Sequence, residues 1–193
     1  MPPNVHLHKL SVNRQDRSKI KNQRSFCIWL TGLSASGKST IASCLDRQFF
    51  AYGKHAYVLD GDNVRNGLNS NLGFSEEDRS ENIRRVAEVT ALMVDAGLIV
   101  IVSLISPFRK ERMYARSLFE SGDFYEVYID TPLTECERRD PKGLYARARR
   151  GEIHSFTGID SPYEVPDFPE IVVATLTTTP EECAYKILSE IGD

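Results

Sequence analysis

The chain is 193 residues long, 41% hydrophobic and 26% charged, with a formal net charge of -3. That is the composition of one globular domain with a full core. It excludes an intrinsically disordered polymer and gives no bulk attraction to nucleic acid or to a membrane surface.

Residues 1–25 are polar. Lys9, Arg14, Arg17, Lys19, Lys21 and Arg24 face only Asp16, so the segment is expected to be a basic, flexible or loosely docked arm. His6 and His8 lack the further ligands a metal site needs. The start has no apolar signal-peptide core, and no stretch approaches the ~18 apolar residues of a membrane span. Cys27, Cys44, Cys136 and Cys183 are widely spaced without a C-x-x-C pair. They read as reduced, buried thiols of a cytoplasmic protein.

The domain itself is expected over 26–193. The apolar run Phe26-Cys27-Ile28-Trp29-Leu30-Thr31 leads into Gly32-Leu33-Ser34-Ala35-Ser36-Gly37-Lys38-Ser39-Thr40, and Ile41-Ala42-Ser43-Cys44-Leu45 leads out as a helix. Strand, G-x-x-x-x-G-K-[ST] loop and helix form a phosphate loop. Gly32 and Gly37 allow the turn, and backbone N–H groups make a nest for phosphate oxygens. Lys38 is placed to reach the β- and γ-phosphates and Ser39 to ligate Mg²⁺.

Gly53 and Lys54 close that helix, and Ala56-Tyr57-Val58-Leu59 is a short strand ending in Asp60-Gly61-Asp62-Asn63. Carboxylates at the carboxyl end of a strand stand where ligands bind in α/β sheets; an Asx turn capping the next helix is the structural alternative. Ser75-Glu76-Glu77-Asp78 starts a long helix to about Ala96, with Ile83, Val86, Ala87, Thr90 and Val94 as its buried stripe. Leu98 to Ile105 is the most apolar run and reads as a central parallel strand stopped at Ser106-Pro107. A charged helix (109–120), a strand (124–130) and a short helix capped by Thr131 follow. Arg138, Arg139, Lys142, Arg147, Arg149 and Arg150 make the region around 137–160 a candidate mobile lid over phosphates. A last strand (171–174) and a helix from Pro180 to about Ile191 close the chain. The alternation gives an α/β, P-loop kinase-like three-layer sandwich around a central parallel sheet.

A GTPase would carry a downstream Asn-Lys-x-Asp, and a motor ATPase an acid pair after its apolar strand; here that strand runs into Ser106-Pro107. A short chain with a basic lid favours a kinase, whose lid keeps water from the phosphoryl group.

Several motifs in one order then resemble a known family. They are the phosphate loop, Asp60-Gly61-Asp62-Asn63-Val64-Arg65, Leu72-Gly73-Phe74-Ser75, Asp78-Arg79, Glu81-Asn82-Ile83-Arg84-Arg85, Ile105-Ser106-Pro107-Phe108, Asp140-Pro141-Lys142-Gly143-Leu144-Tyr145 and Phe156-Thr157-Gly158-Ile159-Asp160. From about residue 25 to the end the chain resembles the bacterial adenylylsulfate (APS) kinases. The resemblance implies phosphoryl transfer from ATP to APS in sulfate assimilation, with Mg²⁺, a homodimer, and association with ATP sulfurylase. It implies no nucleic acid and no membrane.

Carried over by position, Gly32, Ser34, Ala35, Ser36, Gly37, Lys38, Ser39, Thr40 and Arg139 hold ATP, and Ser39 and Asp60 the metal. Asp62, Asn63, Arg65, Phe74, Arg79, Asn82, Ile105, Ser106, Lys142 and Phe156 hold APS, with Phe74 and Phe156 sandwiching its adenine. Asp60, Lys38 and Ser106 are the catalytic candidates. Asp60 is the first candidate base and Asp62 the second. Ser106 is either an APS-binding hydroxyl or a phosphoserine intermediate. Leu104, Ser155, Ala146-Arg147 and Ala35-Ser36 depart from the common pattern without removing a reactive group.

Overall fold

The computed structural model describes residue 6, residue 8 and residues 10–192. Residues 1–5, Leu7 and Lys9 of the expected arm lie outside the described residues. The strands are β1 (Cys27–Thr31), β2 (Ala56–Asp60), β3 (Ile99–Ser103), β4 (Phe124–Asp130) and β5 (Ile171–Ala174). They form a parallel sheet in the order β2-β3-β1-β4-β5. The helices are α1 (Arg14–Lys21), α2 (Lys38–Ala51), α3 (Gly61–Arg65), α4 (Glu76–Asp95), α5 (Arg109–Ser117), α6 (Leu133–Arg139), α7 (Leu144–Arg149) and α8 (Pro180–Ile191).

The period-two alternation of β1 builds both sides of the core. Phe26, Ile28 and Leu30 pack with Ile41, Leu45 and Phe49 of α2 and Ile187 of α8. Cys27 and Trp29 point the other way, against Ile83 and Val86 of α4 and Ala115 of α5. Helices therefore cover both faces, giving the three-layer sandwich expected of βα alternation. Each large apolar side chain buried this way contributes roughly 1.5–3 kcal/mol. β1 lies between β3 and β4, which return from opposite sides. A ligand crevice opens beyond the strand ends at such a switch point.

Three local expectations are corrected. The apolar run after Gly97 makes β3, an interior strand beside the central β1 and shorter than expected; residues 104–108 are not strand. Thr131 does not cap the short helix: Pro132 is the N-cap of α6. The Thr131 hydroxyl instead donates to the Ser36 carbonyl at 3.0 Å, a tertiary use that outcompetes local capping. The part of the arm from residue 13 to residue 25 is docked rather than loose. Asn13 and Asp16 form a capping box on α1. Arg14 pairs with Asp123 and Arg17 Nη1 sits 2.6 Å from Asp95 Oδ2. Gln23 Nε2 donates to the Gly97 carbonyl at 2.9 Å, while its Oε1 accepts the His55 N–H at 2.7 Å.

All four cysteines are free and buried. No helix among the described residues is long and apolar enough to cross a membrane.

Candidate active site

The phosphate loop turns where the sequence places its glycines. Gly32 has φ +152°, and a Cβ there would meet the Ile129 carbonyl oxygen at 2.8 Å; Gly37 has φ +104°. Ala35 also adopts a left-handed conformation, with φ 59°. A Ser36 N–H to Leu33 carbonyl bond of 3.2 Å closes the turn. α2 starts directly afterwards at Lys38, aiming its unpaired N–H groups and positive dipole end at the loop. Lys38 is buried, and its Nζ donates to the Gly32 and Leu33 carbonyls at 2.9 and 2.6 Å. Burial pushes its ammonium down to about 8, opposed in part by charges that include Asp60.

Asp60 ends β2 and joins two elements. One carboxylate oxygen accepts the Ser39 hydroxyl at 2.6 Å, and the other accepts the Asp62 N–H at 3.1 Å. The site and the helix-capping readings of this residue are therefore both realised: it caps α3 and faces the phosphate loop. Ser103, at the end of β3, lies 3.3 Å from Ser39 through its hydroxyl. Ser39, Asp60 and Ser103 thus gather hard oxygen donors, the chemistry that Mg²⁺ takes. Among the described residues no cluster of three or more His, Cys, Asp or Glu could hold a metal. A Mg²⁺ held by one carboxylate, a hydroxyl and substrate phosphates needs no such cluster.

The cleft that holds the phosphate loop and Asp60 has a volume of about 1250 Å³ and is also lined by Asp62, Asn63, Phe74, Asn82 and Phe156. Phe74 is 71% exposed and lines the cleft. The Arg65 guanidinium stands 4.5 Å from its ring centroid. Arg79, from α4, donates to the Ser155 carbonyl at 2.9 Å, and its Nε is buried without a hydrogen-bond partner. Asn82 is buried and accepts from Asn69 Nδ2 at 2.9 Å. Lys142, in the turn between α6 and α7, pairs with Asp62 across the cleft.

Ser106 sits at the end of the β3 run with φ 40°, strained for a residue with a side chain. Its Oγ accepts the Trp29 indole N–H at 3.0 Å, and its carbonyl accepts from Arg112 Nη1 at 2.7 Å. The Ile105 carbonyl accepts the Thr31 hydroxyl at 2.7 Å. On the phosphate-loop side, Arg139 donates to the Thr175 carbonyl at 2.9 Å and pairs with Glu135 at 2.7 Å.

The cleft brings together Ser34, Ala35, Gly37, Lys38, Ser39 and Thr40 of the loop with Arg139, Lys142, Arg65, Arg79, Ile105 and Ser106. Gly32 and Ser36 do not line it. Gly32 is turned against β4, and Ser36 is buried with its carbonyl bonded to Thr131.

The model of the adenylylsulphate kinase family matches residues 24–174. The chain belongs to this family. A curated adenylyl-sulfate kinase of Clostridium kluyveri is 57% identical over 185 residues, covering 96% of this chain and 92% of that one. The bifunctional enzyme NodQ of Rhizobium meliloti is 61% identical over 184 residues, which are 95% of this chain but only 29% of that protein. The chain therefore spans less than a third of its NodQ relatives. Among solved structures, the Mycobacterium tuberculosis APS kinase CysC in complex with AMPPNP and APS superposes with a TM-score of 0.84 at 49% identity, covering 88% of this chain and 99% of that one.

Sequence reasoning missed parts of this cleft. Ser103 was read only as strand. Thr157, which receives a 3.4 Å bond from Arg79, and Arg112, which holds Ser106, were passed over too. Thr157 meets a partner far away in sequence, and Arg112 reaches back six residues to Ser106, a contact that no motif spacing marks. Tyr145 ends the Asp140-Pro141-Lys142-Gly143-Leu144-Tyr145 motif, whose spacing gives it no role. Its signal was a large aromatic in an otherwise polar, basic segment.

Proposed function

We propose that this chain is an adenylylsulfate kinase. It transfers the γ-phosphoryl group of ATP to the 3′-hydroxyl of adenosine 5′-phosphosulfate, giving ADP and 3′-phosphoadenylyl sulfate. The observation that carries the reading is Asp60: it is bonded to Ser39 beside the phosphate loop and opens on the other side to the chamber of Phe74 and Phe156.

In this reading the loop backbone from Gly32 to Thr40 and Lys38 hold the ATP phosphates, and Arg139 lies against the adenine side. Phe74 and Phe156 stack on the APS adenine. Asp62, Asn63, Arg65, Arg79, Asn82, Ile105, Ser106 and Lys142 position its ribose and phosphosulfate. Arg79 brings a buried, unpaired N–H to that task, a donor whose desolvation an anion offsets. Alignment of two bound nucleotides removes ~7–11 kcal/mol of barrier. Asp60 orients the 3′-hydroxyl and takes its proton, an effect of ~10²–10⁴-fold. Lys38 and the lid cations neutralise the transferring group. The lid over 137–160 excludes water.

Mg²⁺ belongs to the same proposal. Ser39 and Asp60 would hold it, and it would supply charge neutralisation on the phosphates. So do a cytoplasmic location, a homodimer, and association with ATP sulfurylase. Relatives named bifunctional enzymes support a partner activity.

The test is ADP release in a coupled assay with APS, a nucleoside, gluconate or shikimate as acceptor. Release with APS alone is expected. Turnover on a nucleoside or sugar acid without turnover on APS would overturn the reading.

A further inference from the structure

Tyr145 is the largest side chain buried in the lid segment, with 1% of its surface exposed. It is the second residue of α7, and Asp140 fixes it there by accepting its N–H at 3.1 Å and that of Ala146 at 3.0 Å. Its side chain then touches both halves of the cleft. The hydroxyl donates to the Ser34 carbonyl of the phosphate loop at 3.1 Å. The ring stands edge-on to Phe156, with centroids 5.0 Å apart and planes at 82°. Burial raises the phenol well above its ordinary value, so it remains a donor throughout the working range.

The geometry has a consequence at each end. A trans peptide is planar, with its C=O and N–H pointing oppositely. Anchoring the Ser34 carbonyl therefore sets the direction of the Ala35 N–H. Ala35 lines the cleft in a left-handed conformation that a non-glycine residue holds only when its surroundings impose it. Successive N–H groups in such a loop are what bind phosphate oxygens. At the other end, an edge-to-face ring contact fixes the plane of its partner. The plane of Phe156 decides whether a purine can stack on it.

We propose that Tyr145 is a positioning residue that couples the two nucleotide subsites, setting the Ser34–Ala35 peptide with its hydroxyl and seating Phe156 with its ring. The proposal rests on the two-nucleotide reading above. Filling one subsite holds Tyr145 in the place the other requires, so each nucleotide tightens the other. Linkage makes the factor the same in both directions.

Calorimetric titration tests it with AMPPNP alone, APS alone, and each in the presence of the other, at fixed Mg²⁺. In the wild type, mutual tightening of about fivefold or more is expected. Tyr145→Phe keeps the ring and loses the hydroxyl. It should bind APS alone within about twofold of wild type while the mutual factor falls toward one, and in turnover the KM for each nucleotide at saturating partner should rise more than kcat falls. A second readout uses the unmutated chain: APS alone should slow amide exchange in residues 33–37, and this slowing should vanish in Tyr145→Phe. Coupling absent from the wild type, coupling unchanged in Tyr145→Phe, or loop exchange indifferent to APS overturns the proposal while leaving the two-nucleotide reading intact. A wild-type chain that binds neither AMPPNP nor APS overturns that reading and this proposal with it.

Discussion

Lys38 is the phosphate-loop residue whose charge burial opposes. Its folded value of about 8 lies below the ordinary 10.5 because burial disfavours the charge. Between those values the unfolded chain keeps a proton that the folded chain has lost. Stability of the nucleotide-free protein therefore rises with pH across that window, by on the order of 3 kcal/mol, and Lys38→Met removes the rise. Nucleotide binding needs the ammonium. AMPPNP affinity should weaken above about pH 8, by up to tenfold per pH unit, in the wild type and not in Lys38→Met. A flat wild-type affinity profile to pH 9.5 would contradict the assignment. Ser106 decides between binding and covalent roles. Its Oγ receives a 3.0 Å bond from the Trp29 indole, where a nucleophile needs a base. Rapid quench with labelled ATP and no APS should find no stoichiometric phosphoserine, and Ser106→Ala should raise the KM for APS. Lys38 was legible as a candidate from the phosphate-loop spacing, and Ser106 only from the family resemblance. The left-handed backbone of Ser106 and the bond that Arg112, six residues on, gives its carbonyl were not legible, because neither follows from a motif or a hydrophobic period.

Elements were legible in proportion to how far local pattern decided them. The stripe Ile83, Val86, Ala87, Thr90, Val94 and the Ser75 cap placed α4 directly. The apolar run after Gly97 was legible as strand but not in extent: β3 ends at Ser103, and the chain turns at Ser106, whose φ is 40°. α1 was least legible. Its basic residues look solvated until Asp95 and Asp123, far along the chain, arrive beside them. Gln23 completes that docking with bonds to the His55 N–H and the Gly97 carbonyl. Gln23→Ala strands these backbone groups and should cost about 2–3 kcal/mol. For a chain of this size that is roughly 5–10 °C in Tm. The residue is outside the cleft, so kcat should stay within about twofold. An unchanged Tm would show that α1 is only loosely held.

The whole molecule follows from one topological fact: β1 turns into the phosphate loop at the point where the sheet order reverses, and β2 and β3 end beside it with Asp60, Ser103 and Ser106. βα alternation made that architecture readable in advance. The docking of the lid against the loop through Tyr145 was not, since it depends on how two loops meet. The measurement that tests the central claim most directly is single-turnover transfer from γ-labelled ATP, with and without APS, in the wild type and in Asp60→Asn. Label should leave ATP only when APS is present, arrive on the 3′-oxygen, and do so ~10²–10⁴-fold more slowly in the variant. Label that passes to water or protein at the same rate with or without APS, or an Asp60→Asn chain as fast as wild type, would contradict it.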